Sequence, residues 1–268
     1  HLNYGVQFDP SFQLNVKAYR NLFQRAWTKF DGFPSGTPPQ RVLTLPNFYL
    51  NQYRVMSGAA NSSGTPFDLI DVTNNDRKFV SEGLQISGNY DHGLLGVSQQ
   101  FSFGVRAHRD TAKRRHKPRS YLMTNGSLIF DGFLLPPKTF NRGHSEALSV
   151  YLANEFYFDR LTLNAGVRLE DIDGEVLNRN TGVTTYNDQK EVMPSISLLF
   201  PLSNNLNLIA GIHQGFSPSG PGATGIDPES STNYEFGGRY NNQNTYAELF
   251  GFYSDYSNLL GRCRVSDF

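Results

Sequence analysis

The sequence predicts an all-β fold, a transmembrane antiparallel β-barrel, and three observations carry that prediction. Apolar residues recur at every second position through long segments. In residues 147–170, Leu148, Val150 and Leu152 alternate with Ser149 and Tyr151; after Asp159-Arg160 the rhythm resumes with Leu161, Leu163, Ala165, Val167 and Leu169, set against Thr162, Asn164, Arg168 and Glu170. A period of two marks strands with unlike faces. The composition agrees: 21 Phe, 14 Tyr and 25 Gly against one Trp favour strands and turns over helices. Finally, the connections alternate between tight turn and long loop. That sorts the tight turns to one end of a sheet and the long loops to the other, as in outer-membrane barrels. Greek-key sandwiches have no reason to sort their loops by end.

The totals exclude other classes. The chain has 268 residues, with 24 Lys+Arg balancing 24 Asp+Glu, so no net field points toward nucleic acid. No apolar run approaches the roughly 20 residues of a transmembrane helix. The chain opens at His1 inside an already alternating stretch, with Leu2, Tyr4, Val6 and Phe8 in phase and no signal peptide ahead of it. Residues 1–268 are therefore read as part of one β-barrel domain, truncated at both ends, that contributes about ten strands of a larger barrel.

The elements follow in order. HLNYGVQF turns at Asp9-Pro10 into SFQLNVKAYRNLF. A Pro-, Gly- and Asn-rich stretch, about 25–77, is expected to be irregular. KFVSEGLQISGNY turns at Asp91-His92-Gly93 into LLGVSQQFSFGVRAH. A polar, basic stretch from Arg109 to Glu146 reads as a solvated loop. The hairpin of residues 147–170 follows, then a loop over 171–189. EVMPSISLLF turns at PLSNN into LNLIAGIHQGF. The loop SPSGPGATGIDPESS leads to TNYEFGGRY, which turns at NNQN into TYAELFGFYSDYSNLL. The expected strand length is about 10 to 14 residues, where soluble strands average about 5 to 6 and a membrane-crossing strand needs about 9 to 11.

The faces can be assigned on energetic grounds. A core built from the polar phase would bury Arg106, Arg168, Glu155, Glu170, Glu235 and Arg239. Each unpaired charge would cost several kcal/mol there, and nothing unusual on the wall of a wet lumen. The apolar phase carries aromatics beside every tight turn: Phe8 and Phe12, Tyr90, Phe156 and Phe158, Phe200, Tyr240 and Tyr246. Rings at one end of every hairpin match an interfacial girdle. The apolar phase is therefore expected to face lipid, and the sheet must close so that no backbone group is orphaned there.

At this point the residues resemble a known family. ALSVYLANEFYFDRLTLNAGVRLEDIDGE is similar to a strand pair of TonB-dependent outer-membrane receptors. FGVRAHRD, PSISLLFPLSNNLNLIAGIHQGFSP, ESSTNYEFGGRY and AELFGFYSDYSNLLGRC continue the likeness from about residue 1 to 263. Within the family the chain most resembles the ferric-dicitrate and siderophore receptors. The resemblance implies a barrel of roughly 22 strands with a plugged lumen. It implies a ferric chelate as transported ligand, no cofactor, coupling to the TonB energy system through a plug domain, contact with lipopolysaccharide and outer-membrane lipid, no nucleic acid, and residence in the outer membrane of a Gram-negative bacterium. No plug domain is expected in this chain. By itself Cys263, the one cysteine, is either an unpaired thiol or half of a disulfide. The resemblance favours the half-disulfide, since the family branch carries a second Cys in the same loop.

A receptor for an anionic chelate needs cations and polar groups high in the lumen and on the loops. Arg106, His108, Arg109, Arg168 and His213 are the candidate substrate-binding residues, with barrel-wall ion pairing as their alternative role. RDTAKRRHKPR, 109–119, is the densest basic run and could attract an anionic chelate or lipopolysaccharide phosphate. The six histidines show no metal-ligand spacing, and GHSEA is no nucleophile elbow. No catalytic residue is assigned, and Glu155 and Asp255 read as lumen-wall carboxylates. Two rivals remain. A passive porin-like channel would fold PSGTPPQRVLTLPNFYL inward as a constriction. A soluble secreted β-sandwich, such as a carbohydrate-binding or hydrolase domain, would bury its apolar face against a second sheet.

Overall fold

The structure, a computed structural model, describes residues 1–261, so Cys263 lies outside the described residues. Eleven strands form one antiparallel sheet: β1 (Leu2–Asp9), β2 (Phe12–Gly32), β3 (Ile70–Leu94), β4 (Val97–Thr124), β5 (Ser127–Leu134), β6 (Thr139–Tyr157), β7 (Thr162–Asn178), β8 (Thr184–Ser203), β9 (Leu206–Ser217), β10 (Glu229–Asn241) and β11 (Tyr246–Ser257). Ten of them make a continuous meander in chain order, as expected. The eleventh, β5, pairs only with β4 and stands off that path.

The strands are much longer than their apolar segments. β3 has 25 residues and β4 has 28. The expected loop over 25–77 shrinks to 33–69, because β2 runs on to Gly32 and β3 begins at Ile70. The loop expected over 171–189 shrinks to a five-residue turn between Asn178 and Thr184. The basic run 109–119, read as a loop, lies wholly inside β4. The cause is common to all three. Backbone pairing continues above the membrane, where no lipid requires an apolar face, so the hydropathy contrast fades while the ladder persists. The β3–β4 turn falls at Leu95-Gly96, with φ of 56° and 79°, rather than at residues 91–93. Two successive positive φ values make a type I′ turn, whose twist matches the flanking strands.

Register fixes the faces. Reading straight across the sheet, Tyr4, Val16, Ile86, Val105, Val150, Leu169 and Val192 form one unbroken apolar rung. The next rung, one residue along, is Lys17, Gln85, Arg106, Ser149, Glu170 and Glu191. The apolar rungs are the open ones: Leu148 is 50% exposed and Val192 57%, whereas Ser149 is 5% and Glu170 9% exposed. Polar side chains covered and aliphatic ones uncovered is the inverse of a water-soluble sheet. It is the arrangement of a sheet with its apolar face in lipid and its polar face inward. Phe12, stacked on Phe8 with centroids 5.3 Å apart and edge-on to Tyr90 at 6.3 Å, forms an aromatic cluster at the tight-turn end.

The described apolar core is small and lies in the β2–β3 loop. Two short helices, α1 (Pro39–Thr44) and α2 (Leu50–Met56), bury Val42 and Val55 with Phe33, Ile70 and Met123. Ile70, Val72, Tyr121 and Phe30 belong to the outward phase at the tops of β2, β3 and β4. The segment a porin would need as an inward constriction thus packs on the outward side. Asp68 ties the loop together. Its carboxylate accepts bonds from Ser63 N at 2.7 Å, Ser63 Oγ at 2.5 Å and Thr65 N at 3.1 Å.

Candidate ligand site on the inner face

The inner wall is polar and well bonded at mid-height. Tyr19 reaches across β3 to β4, where its hydroxyl accepts from Arg106 Nε at 3.0 Å and meets His108 Nδ1 at 2.5 Å. His108 Nε2 lies 2.9 Å from Asp110. Gly83 makes this crossing possible: a Cβ there would stand 2.6 Å from the Tyr19 hydroxyl. On the neighbouring strands Arg168 Nε donates to Glu170 at 2.6 Å, and Ser149 Oγ donates to the other oxygen of Glu170 at 2.5 Å.

Of the candidate residues, Arg106, His108 and Arg168 therefore share one band of the inner wall. His213 is also inward but lies on β9, opposite Ser195 and Asn233. Arg109 is a correction. One residue out of phase with Arg106 and His108, it lies on the outward face and pairs with Glu146 at 2.6 Å. Asp255 likewise falls on the outward side, since Ser254 is the residue that meets inward Asn233. Arg106 and Arg168 are held by protein partners, so both sit as wall residues.

Higher on the same face stands a group the sequence reading passed over. Arg25, Arg77 and Arg114 are direct cross-strand partners on β2, β3 and β4. Like charges placed opposite one another repel. Among the described residues none of the three lies within ion-pair distance of a carboxylate; the ion pairs on these strands engage other residues. The acids above the row are already taken. Lys138 binds Asp31 at 2.7 Å and Asp71 at 2.5 Å, and Lys29 binds Asp31 at 2.6 Å. Burial of the Lys138 ammonium works against its charge, but these two carboxylates outweigh it and hold its pKa above the ordinary lysine value. His116, one inward position above Arg114, accepts from Arg77 Nε at 3.2 Å.

Beside the row lies a pocket of about 480 Å³ between β4, β6, β7, β8 and the β9–β10 loop, lined by Asp110, Arg114, Asn141, Gly143 and Pro221 among others. The loop is folded inward and pinned to β8. Asn187 Nδ2 donates to Ser219 Oγ at 2.7 Å, and Gln189 exchanges two bonds with the Ser219 backbone, at 3.1 and 3.3 Å. Gly174 allows the approach, since a Cβ there would lie 2.7 Å from Pro221 Cα. The wall thus offers an open cationic row beside a mostly apolar pocket edged by Arg114, an arrangement that can take a bulky anion.

The profile of the family described as TonB dependent receptor-like, beta-barrel matches residues 1–267. The chain belongs to this family. Solved structures of iron-chelate and copper import proteins share its fold. The ferric citrate transporter FecA aligns with a TM-score of 0.72 at 17% identity over 95% of this chain and 33% of its own. The ferric-catecholate import receptor Fiu of E. coli K12 aligns at 0.66 and 14% identity over 96% and 40%. The copper transporter OprC aligns at 0.65 and 14% identity over 96% and 38%. The chain thus spans about a third to two fifths of the length of these structures. In a TonB-dependent receptor barrel the polar inner face described above is the lumen wall.

Sequence reasoning missed the Arg25, Arg77 and Arg114 row because it took all three strands for loop at that height. The signal was present as parity, since Arg114 and His116 keep the phase of Arg106 and His108.

Proposed function

We propose that this chain forms barrel wall and extracellular loops of a receptor that takes up an anionic ferric chelate, of dicitrate or siderophore type, across the outer membrane of a Gram-negative bacterium. The observation that carries the reading is the row of Arg25, Arg77 and Arg114, three guanidiniums in one rung of the lumen with no carboxylate within ion-pair distance among the described residues. Guanidinium groups grip carboxylate and aryl-oxide oxygens through paired N–H donors. The ligand's negative charge would relieve the repulsion within the row. The ferric ion enters as cargo inside the chelate and needs no protein ligands.

The remaining parts fit that role. The apolar rungs would sit in lipid, with the ion-paired row Arg20, Glu82, Arg109 and Glu146 above them at the level of lipopolysaccharide headgroups. Active uptake would draw on the TonB system through a plug domain supplied elsewhere in the receptor. The test is uptake of radiolabelled iron chelates by cells carrying the intact receptor. Substituting Glu for Arg77 is expected to abolish uptake while leaving the barrel's heat-modifiable gel mobility unchanged. Undiminished uptake by that variant would refute the assignment.

A further inference from the structure

The basic run 109–119 is divided between the two faces of β4. Arg114 and His116 turn inward, while Lys113, Arg115 and Lys117 share the outward face with Arg109. On that face the rungs change character with height. Ala18, Leu84, Ala107 and Leu148 close the apolar band. One rung up, Arg20, Glu82, Arg109 and Glu146 alternate in sign and pair at 3.3 and 2.6 Å. Two rungs higher, Lys78, Lys113 and Arg142 are direct cross-strand partners on β3, β4 and β6. All three are exposed. Among the described residues none of them lies within ion-pair distance of a carboxylate. Like charges set side by side repel, so an anion on this rung would relieve it. β3, β4 and β6 each have a paired strand on both sides, so this stretch of the outward face is complete in the chain.

Height and shape narrow the anion. Along β3, Lys78 stands about 20 Å beyond Leu84 at the usual strand rise, and a strand tilt of about 40° leaves it about 15 Å above the apolar band. A phospholipid headgroup layer is only about 5–8 Å deep. Its phosphate therefore falls at the paired rung, where the charges are already matched. Above the cation rung the outward face hollows into a pocket of about 280 Å³, edged by Gln24, Asn74, Asp76, Lys117 and Arg119. Val72 and Tyr121 form its upper end, and both pack on the apolar core of the β2–β3 loop. Two amides and a carboxylate suit sugar hydroxyls, and the two cations suit phosphate or a sugar acid. On the same face β7 and β8 carry Asp173, Glu175 and Asp188, which turn an anion back toward β3, β4 and β6. An anionic glycolipid with a tall sugar headgroup meets all of these demands at once.

We propose that Lys78, Lys113 and Arg142, with the pocket above them, bind the phosphorylated sugar core of one lipopolysaccharide molecule on the outside of the barrel. The site is independent of whatever ligand the lumen takes. The test is equilibrium binding to the purified intact receptor in detergent, with EDTA present so that no divalent ion bridges lipid and protein. The probes are lipopolysaccharide carrying a phosphorylated inner core, lipid A without core sugars, and phosphatidylglycerol. Three proteins are compared: the wild type, a Lys78→Gln/Lys113→Gln/Arg142→Gln triple variant, and Arg77→Glu, whose altered residue faces the lumen. Heat-modifiable mobility confirms that each barrel is folded. The wild type is expected to prefer the core-bearing lipopolysaccharide at least tenfold over either other lipid. The triple variant should lose at least tenfold for that probe and keep its weaker lipid A binding, and Arg77→Glu should bind it like wild type. Equal wild-type affinity for the core-bearing probe and either other lipid would overturn the proposal. So would a triple variant that binds like wild type, or an Arg77→Glu loss as large as that of the triple variant. None of these outcomes bears on the chelate reading, which the uptake assay tests.

Discussion

Arg168 and Glu170, two residues apart on β7, point to the same side of the sheet, and the Nε of Arg168 donates to Glu170 Oε1 at 2.6 Å. Glu170 is covered by the wall, while the Arg168 side chain remains 43% exposed. Arg168 therefore reads as the positioned half of a wall ion pair rather than a free ligand-binding cation. Ser149 Oγ occupies the second carboxylate oxygen.

Glu170→Ala is accordingly expected to destabilise the barrel by about 1–3 kcal/mol, because Ser149 and Arg168 would each lose an acceptor at a covered site. Ser149→Ala should cost less, about 1 kcal/mol. Urea unfolding of the intact receptor in detergent, with both variants in parallel, checks the order. Equal midpoints for Glu170→Ala and wild type would contradict it.

Tyr19 bridges Arg106 and His108 across β3 through its hydroxyl. Tyr19→Phe keeps the ring and removes the bridge. The expected loss is about 1 kcal/mol of stability, with wild-type chelate uptake, since these residues lie below the cationic row. Gly83→Ala should be worse, because its Cβ would meet both the Tyr19 hydroxyl and the Ala107 carbonyl, the latter at 2.7 Å. Chelate uptake that falls tenfold in Tyr19→Phe would move the binding site down to this band.

The parts legible in sequence and the parts missed divide along the membrane boundary. Val150, Leu169 and Val192 were readable because lipid demands an apolar residue at every second position, and the alternating polar phase then gave the inner face. Lys113, Arg114, Arg115, His116 and Lys117 carry no such contrast: all are polar, both faces are wet, and only pairing with β3 reveals that Arg114 and His116 share the lumen side. Arg109 was misplaced for the same reason: the strand was taken to end at His108, and only its continuation through β4 sets Arg109 on the outward face. The β4–β5 hairpin had a local signal in Asn125-Gly126, both at positive φ in a type I′ turn, hidden inside a stretch read as loop.

The β9–β10 loop is predicted to be a docked element. Gly174→Ala places a Cβ 2.7 Å from Pro221 Cα, against backbone that cannot swing aside like a long side chain. The loop should then lift from β7 while the barrel, paired on both sides of β7, stays intact. Limited proteolysis is expected to cut within 218–228 faster in Gly174→Ala than in wild type, with gel mobility unchanged. Ser219→Ala removes the Oγ that accepts from Asn187 and donates to the Ile226 carbonyl at 2.9 Å, and should act in the same direction more weakly. Cleavage rates equal to wild type in both variants would show that the loop is held by something other than these contacts.

The β2–β3 loop should come apart in acid before the barrel does. Burial of Asp68 favours its neutral form, but the hydrogen bonds from Ser63 and Thr65 outweigh that and hold its pKa below the ordinary 3.8. A carboxylate with a depressed folded pKa adds stability that is fully present above its unfolded value and is lost as pH falls through the folded one. The loop should therefore keep its strength down to about pH 4 and loosen below it. The strand ladders rest on backbone bonds that do not titrate. Hydrogen exchange of α1, α2 and the Ser62–Asp68 turn, followed from pH 6 to pH 3 with correction for the intrinsic exchange rate, is expected to show protection falling only at the acid end. Asp68→Asn should show the weakened protection already at pH 6, with little further change on acidification. A wild-type loop that loses protection between pH 6 and pH 5 would place the controlling group elsewhere, because Asp68 stays ionised throughout that interval.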